Sequence, residues 1–103
     1  MVTQTYRYRI APTVPFSEVE ESLLLAIVAG ECLHGSSRAR LETSYCTDQE
    51  TRACVLDAST EVGMDIARIF TGLITKEFGE DAFKIEKVDA TDKPRTPVRP
   101  SAS

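Results

Sequence analysis

The chain has 103 residues and 11.4 kDa, is 42% hydrophobic and 27% charged, and carries a formal net charge of -4. That length leaves room for one domain, whose small core buries only about 60–65% of the surface of the unfolded chain. The acidic balance argues against general affinity for nucleic acid, which needs clustered Lys and Arg, though it leaves open a local basic patch.

The opening segment, MVTQTYRYRI, has no apolar stretch of the secretory type. The longest apolar run, Leu23 to Gly30, is far shorter than the roughly 20 residues that span a bilayer. Three cysteines make an odd, small number, unlike a secreted disulfide framework. The expectation is a cytoplasmic protein without membrane association.

Residues 5–10 alternate, with Tyr6, Tyr8 and Ile10 on one face and Arg7 and Arg9 on the other. This predicts a half-buried strand, ended by Pro12 and Pro15. Ser17 and Glu20 have the spacing of a capping box, so a helix is predicted from Ser17 to His34 with Gly35 as its stop. Val19, Leu23, Ile27 and Gly30 should face the sheet. Ser22, Ala26 and Ala29 form a flank of small side chains for a second helix to approach.

Alternation returns from Arg38 to Thr47 and predicts a second strand, with Leu41, Thr43 and Tyr45 inward. A turn at residues 48–51 leads to a third strand over residues 52–58, with Tyr45 opposite Cys54 and Thr43 opposite Leu56. This register places Cys46 and Cys54 on opposite faces, unbonded. Ser59 or Thr60 should cap a second helix, where Val62, Ile66, Ile69, Phe70, Leu73, Ile74 and Phe78 follow the 3.6-residue period. Gly79 ends it, and residues 82–88 form a last strand.

The element order β-α-β-β-α-β resembles the ferredoxin-like plait over residues 5–88. The resemblance implies an α+β domain with a four-stranded antiparallel sheet in the order 4-1-3-2 and two helices on one face. Its core would include Tyr6, Tyr8, Ile10, Leu41, Tyr45, Leu56, Phe83 and Ile85. This domain occupies residues 1–88. Residues 89–103, DATDKPRTPVRPSAS, hold three of the five prolines and one large apolar residue, Val98. They predict a disordered tail.

No nucleotide, metal or catalytic motif is present, so no enzyme activity, cofactor or metal is expected. Cys32 and His34 lie two apart on a helix and diverge by about 200°, so they cannot chelate one metal. The plait hosts many unrelated functions and does not select one.

Two surfaces stand out. Leu25, Val28 and Cys32 form a stripe on the first helix opposite its sheet-facing side, which either packs against the second helix after a modest rotation or meets another chain, a second copy or another protein. Arg7, Arg9, Arg38 and Arg40 would share the open sheet face, where RNA or another anion could bind. The leading expectation is a non-enzymatic interaction module that self-associates through the first helix, the open sheet face, or both. RNA or anion binding is the alternative, and small-molecule sensing is a third reading.

Overall fold

A computed structural model describes residues 4–88. The expected tail at residues 89–103 lies outside the described residues. The chain runs β1 (Thr5–Ile10), α1 (Phe16–His34), α2 (Ser36–Glu42), β2 (Tyr45–Asp48), β3 (Ala53–Asp57), α3 (Glu61–Phe78), a 3-10 turn (Glu80–Ala82) and β4 (Phe83–Val88). This is an α+β fold with three helices and one four-stranded antiparallel sheet of order β2-β3-β1-β4. The strand order agrees with the expected one. The element order departs from it because α2 stands where a strand was expected.

β1 is central, pairing Tyr8 with Cys54 on one side and with Ile85 on the other. Its alternation places Tyr8 and Ile10 in the core with Leu56 of β3, beneath α1 and α3. The Tyr8 hydroxyl lies 2.8 Å from Thr71 Oγ1 of α3, so even its polar end is anchored. Burial raises the Tyr8 pKa above its ordinary value, partly offset by the Thr71 bond.

α1 starts one residue before the expected point, and its N-cap is Pro15, with no side-chain cap. The Ser17–Glu20 capping box therefore does not form. Ser17 is already inside the helix, and Glu20 accepts a hydrogen bond from Thr47 Oγ1 at 3.2 Å instead. The backbone amides of Glu18 and Val19 bond the Pro15 carbonyl. At the far end Gly35 adopts φ 91, a left-handed geometry that glycine takes without strain, and stops the helix. The buried side is Val19, Leu23, Ala26 and Gly30, with Ile27 half-buried. α3 passes close to α1 at Gly30, where an added Cβ would lie 2.6 Å from Ile66 Cγ1. Of the expected small-residue flank, Ala26 is fully buried, while Ser22 and Ala29 are only half-buried, and Gly30 supplies the close approach to Ile66.

Of the strand predicted over 38–47, residues 38–42 are helix and only 45–47 are strand. Arg, Ala, Leu and Glu are strong helix formers, and in Ser36–Glu42 they outweigh a weak alternation of two apolar residues. Ala39 is the buried residue of α2, while Leu41 is 86% exposed and not in the core. Tyr45 and Ile85, also expected inside, are partly exposed at the two sheet edges. Tyr6 and Phe83 pack against the core, half-buried.

The β2–β3 register pairs Tyr45 with Leu56, a shift of two residues from expectation. A shift of two preserves the faces, because side chains alternate with period two. The turn is residues 49–52, and Arg52 takes φ 55 within it instead of opening the strand. The Arg52 guanidinium donates to the carbonyls of Ala11 and Val14 and sits over the Phe16 ring, 5.8 Å from its centroid. It ties the hairpin to the loop before α1. Thr60 caps α3 as predicted, its side-chain oxygen accepting from Gly63 N.

Candidate functional site

The described residues present three surface features with chemical content. The first is the outer side of α1. Leu24, Leu25 and Val28 are each between 53% and 61% exposed, and Cys32 is exposed beside them. A solvated helix side normally carries polar residues, so this helix is apolar nearly all round while only one side is covered by its own fold. The predicted stripe of Leu25, Val28 and Cys32 is therefore on the surface. Sequence reasoning passed over Leu24, whose signal lay in the same run of leucines.

The second feature is the open sheet face. Arg7 and Arg9 lie there, above a hollow of about 640 Å³ whose floor is Ala53 and Val55 and whose far side carries Cys46 and Asp48. Both arginines are engaged by Glu86 of β4, at 3.4 Å for Arg7 and 3.1 Å for Arg9. Arg9 and then Arg7 hold the Glu86 carboxyl below its ordinary pKa. Arg38 and Arg40 do not join them. Both lie on α2, because that segment folds as a helix, so the four-arginine face does not exist. Two arginines shared with one carboxylate make a much weaker anion surface than four free ones.

Where α1, α2 and α3 meet, a polar cluster forms around His34. Its Nε2 lies 2.8 Å from Asp65 Oδ2 of α3, and its Nδ1 lies 3.5 Å from an Arg38 Nη1. Since arginine only donates, Nδ1 accepts and Nε2–H donates to Asp65. Arg38 also bonds Glu42 and Glu61, at 3.1 and 2.9 Å. The histidine–carboxylate pair joins α1 to α3 and Arg38 ties in α2, and no group of three or more metal-ligating side chains converges among the described residues. Cys32 is on the outer surface, apart from His34, as their spacing required.

Comparison with protein-family models, curated proteins and solved structures found no match. The reading therefore rests on these surfaces. None of the helices among the described residues is long and apolar enough to cross a membrane.

The cysteines are free and differ in environment. Cys46 faces the open sheet side, and its thiol is raised by burial and by Asp48. Cys54 is in the core, and burial pushes its thiol up to about 12, with smaller contributions from Glu20 and Cys46. The unfolded chain releases this proton near the ordinary thiol pKa of about 9. Between pH 9 and 12 the folded state thus holds more protons than the unfolded one, and stability falls as pH rises. The advantage of the wild type over Cys54→Ala in urea unfolding is expected to be full below pH 9 and to shrink above it. An advantage that grows with pH would contradict the buried neutral thiol. Thiol reagents should reach Cys54 only after unfolding.

Proposed function

We propose that this chain is a non-enzymatic interaction module that self-associates through the outer face of α1. The observation that carries the reading is the exposure of Leu24, Leu25, Val28 and Cys32 on a helix whose other side is already packed. A small domain gains most from covering such a face, since its own core leaves a narrow margin. Residues 89–103 contain one large apolar side chain, Val98, too little to cover it from within the chain.

The domain is best regarded as a ferredoxin-like plait with α2 inserted before its second strand. That reading is supported by the strand order and by the alternation of β1 and β3. The three free thiols support a reducing, cytoplasmic setting. Anion binding at Arg7 and Arg9 is the lesser reading, weakened by Glu86.

The test is solution mass by size-exclusion chromatography with light scattering. The wild type is expected to run as a dimer or larger assembly, and Leu25→Glu/Val28→Glu as a monomer with the same far-UV circular dichroism. A monomeric wild type, or an assembly untouched by the double change, removes the proposal. Nucleic acid that co-elutes and is released by salt would favour the arginine face instead.

A further inference from the structure

We infer that the partner on α1 is a second copy held antiparallel, with the twofold axis at the level of Val28. This deepens the self-association reading and rests on it.

The argument begins with the helix surface. At about 100° per residue, Glu21, Leu24, Leu25, Val28 and Cys32 fall within an arc of about 100°. That is the width of one helix contact, with Val28 at its centre. The charges along α1 are unequal. Glu18, Glu20 and Glu21 crowd its first half, Glu31 is the other acid, and the helix has no Lys or Arg. Basic residues begin only beyond its C-terminus, at Arg38 and Arg40. Arg38 is occupied by Glu42 and Glu61. Arg40 is exposed and makes no ion pair among the described residues.

A parallel pairing would set each Glu21 against its own copy and align the two helix dipoles unfavourably. An antiparallel pairing sends the acidic end of each helix toward the end from which the partner's Arg40 follows. The dipoles then oppose, and the half of each helix that carries three acids meets the half that carries one. The contact is also isologous, and so closes at two chains. The positions of Leu24 and Cys32 agree with this symmetry. With Val28 on the axis, Leu24 lies opposite Cys32 of the partner subunit, so the small thiol receives a leucine.

The arrangement has a consequence for the native cysteine. Two Cys32 residues would sit four positions on either side of the axis, about 12 Å apart along the helices at 1.5 Å per residue. That is beyond disulfide reach, which requires Cα atoms within about 7 Å. In a parallel pairing the two would lie side by side and could be linked.

The experiment uses the full chain with Cys46→Ser, so that the exposed reporter is Cys32, and oxidation by diamide, which takes up the hydrogens of the two thiols as the disulfide forms. A second chain adds Cys32→Ser and Val28→Cys, and a third keeps Cys32 and adds Leu24→Cys. Mass under reducing conditions is measured first. The inference expects dimers in which Val28→Cys and Leu24→Cys cross-link at least about tenfold faster than Cys32 alone. A dimer in which Cys32 alone links readily overturns the antiparallel pairing about Val28. Failure of both new cysteines to link in a dimer moves the axis away from Val28 and overturns the register. A wild type that is monomeric removes the self-association reading itself.

Discussion

Gly63→Ala is expected to destabilise the domain by about 2–4 kcal/mol, combining overpacking with loss of a helix cap. A Cβ at this position would lie 2.2 Å from the carbonyl oxygen of Asp57 and 3.0 Å from Thr60 Oγ1. The Asp57 carbonyl is backbone at the end of β3, and the Asp57 amide is held by the Ser44 carbonyl at 2.9 Å. It cannot rotate away as a side chain would. The first turn of α3 must lift instead, taking with it the Thr60 cap on Gly63 N and the buried Val62. Helix propensity alone gives the opposite sign, because alanine is favoured over glycine by about 1 kcal/mol.

Gly72, in the same helix, isolates that propensity. It is exposed, and an added Cβ would meet nothing within 4 Å. Gly72→Ala should stabilise by about 1 kcal/mol. Urea unfolding of both variants, followed by circular dichroism, gives the comparison. If Gly63→Ala stabilises as Gly72→Ala does, then α3 does not start against the end of β3.

Phe70→Ala is expected to cost about 3–5 kcal/mol, the usual range for emptying a buried aromatic site. Phe70 is fully buried and meets Tyr8 edge to face, with ring centroids 4.8 Å apart. The pair joins α3 to the central strand, so its loss opens a cavity where helix and sheet layers meet. Domains of this size hold roughly 5–15 kcal/mol in total. The variant should therefore have a sharply reduced urea midpoint or be unfolded at 37 °C. A cost below about 1 kcal/mol would mean that this ring does not fill the core.

The contrast between Phe70 and Val28 also separates fold from function. Phe70 is apolar and covered by the domain itself, whereas Val28 is apolar and uncovered. Truncating the first should lower stability at every protein concentration. Changing the second should alter assembly, and stability only where assembly contributes to it.

Much of this division was legible in the residues. β1 could be read because Tyr-Arg-Tyr-Arg-Ile alternates without interruption. α3 could be read because Val62, Ile66, Phe70 and Ile74 recur at the helical period between Thr60 and Gly79. The opposite-face placement of Cys46 and Cys54 followed from side-chain parity, which survived a two-residue register shift. The stripe on α1 was visible as an excess of apolar residues beyond what one buried side requires.

The segment 36–42 was not legible, because its alternation offered a strand while its composition offered a helix. The structure chose the helix with partners distant in sequence: Arg38 reaches Glu61 of α3, and Thr60 Oγ1 donates to the Glu42 carbonyl. That choice removed Arg38 and Arg40 from the sheet face and left Leu41 in solvent. Similarly, only the packed structure decides which side of α1 is covered, because α3 approaches over Gly30 and leaves Leu25 and Val28 outside. Periodicity belongs to a single segment and can be read from it. Which of two possible faces is buried depends on contacts between segments, and those exist only once the chain has folded.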